Sequence, residues 1–102
     1  MLQVKKIEII INSLEVERIT KLIDEEGIGG YTIIKDAQGK GVSGFMNADE
    51  LTDVFKNSYI MTACSEEKAN RLIQKLKPVL HHLGGAALVS DAMWILPKKK
   101  NG

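Results

Sequence analysis

The chain has 102 residues, 44% of them hydrophobic and 26% charged, with a net charge of +1. That is enough chain for one domain but not two, and it is too apolar for a disordered tail. The near-neutral balance, with Lys98, Lys99 and Lys100 as the one basic run, gives non-specific nucleic-acid binding little electrostatic support.

Cys64 is the only cysteine, so an internal disulfide is impossible and a thiolate zinc site is not expected. Met1 to Lys6 lack the cationic-then-apolar order of a signal peptide. No apolar run approaches the ~20 residues needed to span a bilayer. A cytoplasmic protein is expected.

Val4 to Ile11 is β-branched-rich and of strand length. Asn12 follows as a helix cap, with Glu15 three residues on as a capping-box partner. Val16, Ile19, Leu22 and Ile23 recur at helical spacing until Gly27. After Gly29-Gly30 comes a short second strand, Tyr31 to Lys35, and then a glycine-rich loop, Asp36 to Met46, longer than a hairpin needs. The next stretch fits two patterns: Asn47 and Glu50 suit a short helix, while Phe55, Asn57, Tyr59, Met61 and Ala63 alternate as a strand does. We expect a helical turn near Asp49 and a strand from about Asn57 to Cys64.

Ser65 then caps a second helix with a stripe of Ala69, Leu72, Ile73, Leu76, Leu80 and Leu83. Pro78 predicts a kink within it, and Gly84-Gly85 ends it. Ala86 to Ser90 and Met93 to Ile95 read as a fourth strand and a short addition, before a polar tail at 97–102. The order βαββαβ is the split unit of an α+β, ferredoxin-like domain with an antiparallel sheet.

Two helices cover one face of such a sheet. Yet Ile7, Ile9 and Ile11 face one side of the first strand while Ile10 faces the other, and Ile33 and Ile34 likewise oppose each other. A second apolar face predicts a covering subunit. Burying ~400 Å² of apolar surface there would contribute on the order of 10 kcal/mol before association costs.

Few residues point to chemistry. Gly39-Lys40-Gly41-Val42-Ser43-Gly44 spells G-x-G-x-x-G, but the dinucleotide version must leave a strand at once and open a long helix. Here it offers free amides and one lysine, suited to an anion or a partner surface. A plain flexible connection fits those residue types equally well. His81 and His82 point to different helix faces, with no ligand at metal-binding spacing, and no metal is expected. Cys64 reads as a buried, inert thiol. Ser90-Asp91 makes no triad. Trp94 reads as packing rather than a base-stacking platform, and Asp24, Glu25 and Glu26 as a solvated helix end. No catalytic constellation forms, so an enzyme is not expected.

Ile28-Gly29-Gly30-Tyr31-Thr32-Ile33-Ile34, then Gly39-Lys40-Gly41, Asp49 to Phe55, and Gly84-Gly85 through Trp94 together resemble the PII signalling superfamily. The likeness runs from Val4 to Ile95 and is greatest to the PII-like branch found with carboxysomes and inorganic-carbon uptake. It implies a homotrimer that binds an adenine nucleotide (AMP, ADP or ATP), with bicarbonate as a further effector, in clefts between subunits. By the same likeness Gly30, Tyr31 and Thr32 lie against adenine and ribose. Gly39, Lys40 and Gly41 sit at the base of a flexible T-loop, residues 36–47, near the phosphates. Gly84 and Gly85 correspond to the B-loop, which nears the phosphates from the neighbouring subunit. Glycines let amides approach an anion, and lysine supplies a point charge.

The loop departs from the family pattern in two ways. It lacks the modifiable tyrosine of classical PII proteins, which removes uridylylation-type control from the expectation. It also carries Val42 to Met46 where carbon-linked relatives tend to have arginine or acidic residues. The apolar Phe45-Met46 pair suggests a tip that docks on a partner, such as a bicarbonate transporter, or that packs on its own subunit. The alternatives on the same fold are a CutA-like metal-associated trimer and an acylphosphatase-like enzyme. The second needs an arginine-bearing phosphate cradle where this chain has Asn12-Ser13-Leu14-Glu15.

Overall fold

The computed structural model describes residues 1–38 and 56–95. Strand β1, Leu2–Asn12, runs through the sheet, and the alternation of its side chains buries Ile7, Ile9 and Ile11 completely. The Asn12 side chain accepts from the Leu14 amide at 2.8 Å. It opens a 3-10 turn, Ser13–Glu15, before helix α1, Val16–Glu25. The capping box is therefore not the one expected: Glu15 pairs with Arg18 at 3.2 Å, because the intervening turn shifts the helix start three residues on. Ile19 and Ile23 carry the buried face of α1.

Strand β2 spans Thr32–Ala37, starting one residue later and ending two later than the apolar run suggested. Ile34 pairs with Tyr59 and Ala37 with Asn57, so β2 uses three residues where its partner uses two. Such a bulge needs one residue off the pleat, and Asp36 takes that place at φ +58°. Strand β3, Asn57–Cys64, matches the expected strand and buries every second residue. The expected helical turn near Asp49, the tip residues Phe45 and Met46, and the tail at 97–102 lie outside the described residues.

Helix α2, Glu66–Leu83, begins where the Ser65 hydroxyl accepts from the Lys68 amide. It buries Ala69, Leu72 and Leu76 and runs through Pro78 without ending. Pro78 and Gln74, the residue whose carbonyl loses its donor, are both exposed, so the missing bond lies on the helix face away from the core. Strand β4 is continuous from Ala86 to Trp94 instead of two pieces. The eleven-residue β1 offers a partner along its whole length, from Ile10↔Ala86 to Leu2↔Trp94, and Lys5 ties down Asp91 in the middle.

The sheet order is β2-β3-β1-β4, antiparallel throughout. This is the ferredoxin-like βαββαβ arrangement. Ile7, Ile9, Ile11 and Ile60 face Ile19, Ile23, Leu72 and Leu76 in one core. The opposite sheet face has no covering element among the described residues. Register puts Ile10, Ile34, Met61 and Leu88 on it, with Ile34 53% and Leu88 63% exposed. One polar group sits among them: the Tyr59 hydroxyl donates to Glu8 at 2.6 Å, and Lys6 stands 3.8 Å from the same carboxylate. The hydrogen bond to Glu8 pushes the Tyr59 phenol above its usual range.

At the end of α1, Asp24 and Glu25 are exposed as expected, but Glu26 is not. Its carboxylate lies 2.9 Å from Arg71 and 2.8 Å from Lys75, with a side chain only 7% exposed. Sequence distance hid this, since both partners stand on α2. The hydrogen bonds from Lys75 and Arg71 hold the Glu26 carboxyl below its usual range. A depressed carboxyl stabilises the fold above its unfolded pKa, about 4.3, and that contribution is lost as pH falls through the lower folded value. Glu26→Gln should therefore melt below the parent at pH 7. The gap should close as pH falls below about 4, as read by thermal melts across pH. A gap that stays constant with pH would refute the assignment.

Candidate functional site

The end of α1 and the start of β2 build one site. Ile28 is buried and anchors the connection. Lys68 donates to the Gly27 carbonyl at 2.8 Å, and the Thr62 hydroxyl donates to the Gly30 carbonyl at 2.6 Å. These bonds fix the backbone while leaving Gly29 and Gly30 with open space where a side chain would stand. A groove of about 490 Å³ opens beside them, on the uncovered face. Leu2, Val4, Met61 and Ala63 form its floor, and Gly30, Tyr31, Thr32 and Trp94 also line it. The structure thus brings together three of the expected residues, Gly30, Tyr31 and Thr32.

Trp94, expected to pack, is not part of this chain's own core. It is 47% exposed and lines the groove, because β4 is an edge strand and Trp94 is its last residue. Cys64, at the groove's margin, is buried, and burial pushes its thiol up against the smaller opposing pull of Lys68. A raised thiol is a poor nucleophile at neutral pH.

Gly84 and Gly85 lie elsewhere, and each has a structural reason to be glycine. Gly84 ends α2 at φ +83°, with its amide donating to Leu80. A Cβ on Gly85 would stand 2.9 Å from the Ile10 carbonyl oxygen. That is the Ile10 end of β1, while the groove lies at the Leu2 and Val4 end. Six residues of strand at about 3.3 Å each separate them by on the order of 20 Å. Ala37, paired with Asn57, leaves β2 at the same end as Gly85, because Asn57 pairs with Asn12. Gly39, Lys40 and Gly41 follow from there but lie outside the described residues. A single chain therefore carries two half-sites at opposite ends of the sheet.

Among the described residues, no three His, Cys, Asp or Glu side chains gather closely enough to hold a metal ion. His81 and His82 are exposed in the last turn of α2. No helix of the described residues is long and apolar enough to cross a membrane.

No curated protein matches the chain. Among solved structures, CPII from Thiomonas intermedia K12, bound to ADP, AMP and acetate, is 28% identical at a TM-score of 0.77. That match covers 94% of this chain and 92% of CPII. A PII-like signalling protein from Thermus thermophilus is 27% identical at a TM-score of 0.73, covering 92% of this chain and 91% of that one. The ATP complex of Bacillus subtilis GlnK, at 18% identity and a TM-score of 0.63, covers 90% of this chain and 84% of its own and shares the fold. The sequence model of the family described as nitrogen regulatory protein P-II matches residues 4–99. With the βαββαβ sheet and an alignment over nearly its whole length, the chain belongs to the P-II family, whose members are signalling regulators and not enzymes.

Proposed function

We propose that this chain is an adenine-nucleotide-binding regulator that works as a homotrimer in the cytoplasm. The observation that carries the reading is the separation of its half-sites. The groove at Gly30, Tyr31 and Thr32 and the Gly84-Gly85 turn lie at opposite ends of an uncovered apolar face. Packing such faces around an axis joins one subunit's groove to the next subunit's Gly84-Gly85 end. Gly30, Tyr31 and Thr32 then contact the base and ribose. Gly39, Lys40 and Gly41 approach the phosphates, and Gly84 and Gly85 near them from the neighbouring subunit. Relatives bound to ADP, AMP and bicarbonate support both the ligand class and a bicarbonate effector.

The nucleotide acts by its unequal affinity for two states of the T-loop. The tip, Phe45 and Met46, engages a partner, which we take to be an inorganic-carbon transporter of the carboxysome-linked kind. A thermal-shift panel of AMP, ADP, ATP, cyclic AMP and bicarbonate tests the ligand class. A ligand at 100 times its Kd stabilises by ~2.7 kcal/mol, or about 10 °C or more for a domain of this size. No shift with any nucleotide would overturn the reading.

A further inference from the structure

We infer that Thr62 is a positioning residue of the nucleotide groove, an inference that rests on the nucleotide reading above. It acts through the backbone of Gly29 and Gly30. Residues 28–31 belong to no helix or strand, and two glycines leave such a segment free to change shape. Lys68 ties down the Gly27 carbonyl and Ile28 is buried, so the segment is anchored before its glycine pair. Thr62 holds the other end. Its hydroxyl donates to the Gly30 carbonyl at 2.6 Å, two residues before β2 begins at Thr32.

Core packing gives no reason for a hydroxyl there. Thr62 is 2% exposed, in the same buried row of β3 as Ser58, Ile60 and Cys64. A valine has nearly the same shape and brings no buried polar atom that needs a partner. Nor does the Gly30 carbonyl need this donor, because Gly30 is exposed and water can replace the threonine. What the bond supplies is a fixed course for Gly29 and Gly30 before any ligand arrives. A wall already in place spares the ligand the entropy of ordering those residues. Thr62 lies on the sheet face that the helices cover, so a subunit packed on the opposite face leaves the bond untouched.

Two variants separate this role from a structural one, because affinity and stability should part company in both. Thr62→Val should melt at or above the parent without ligand. Calorimetry should nonetheless give ADP binding about 5- to 15-fold weaker, the size of one net hydrogen bond. Amide exchange at Gly29, Gly30 and Tyr31 should be faster in that variant without ligand. Thr62→Ser keeps the hydroxyl but loses a buried methyl, so it should melt below the parent and still bind ADP more tightly than Thr62→Val. Equal ADP affinity in Thr62→Val and the parent overturns the positioning role and leaves the nucleotide reading standing. Affinities that simply follow the melting points make Thr62 a structural residue and overturn the role as well. If the parent itself binds no ADP, both readings fall.

Discussion

Leu88→Lys is expected to turn a trimer of about three times the 11.3 kDa chain mass into monomers. Leu88 stands near the middle of the uncovered face, 63% exposed, directly across from Glu8. In the isolated chain a lysine there gains an opposite charge across the strands, worth at most about 1 kcal/mol, so the fold survives. In an assembly the same ammonium is carried into an apolar interface. Each leucine contributes about 2 kcal/mol by burial, and an unpaired buried charge costs several kcal/mol more. Three copies multiply the penalty. Light scattering at micromolar concentration reads the mass, and circular dichroism checks the fold. A variant that remains trimeric would show that this face is not the interface.

The second large effect is local and needs no ligand. Gly85→Val should destabilise the fold by about 3 kcal/mol or more, lowering Tm by roughly 12 °C or more. The cause is the Ile10 carbonyl, 2.9 Å from the position of a Cβ. Ile10 belongs to a strand paired on both sides, to Tyr59 and to Ala86, so its backbone cannot retreat. Leu80, equally close through its side-chain tip, can turn away. Gly84→Ala should cost less, about 1–2 kcal/mol, because only its φ of +83° is strained. Melting both variants without nucleotide separates this packing role from any contact with phosphate. If Gly85→Val melts with the parent, the close approach has been misjudged.

How much of this is legible in the chain alone depends on the range of the interaction. The order βαββαβ, the Ser65 cap, the β3 span and the split of isoleucines between two faces can all be read from the chain. Each depends on residues within a few positions of one another, where backbone periodicity and capping act directly. The ordered glycine, tyrosine and threonine set carries the family likeness for the same reason, since it is a string in sequence.

Contacts across the sheet and between helices are beyond such a reading. Glu26 meets Arg71 and Lys75 only because α1 and α2 lie side by side. Its neighbours in sequence, Asp24 and Glu25, give every sign of a solvated end. The β2 bulge at Asp36 follows from a register with β3 that no local propensity encodes. β4 is one strand because β1 is long enough to pair with all of it. Trp94 lines the groove because strand order puts β4 at an edge. The sequence by itself determined which residues are helix, strand and apolar. Tertiary structure alone decided which end of the sheet each glycine pair occupies, because antiparallel pairing sends neighbouring strands in opposite directions and divides the site into two halves.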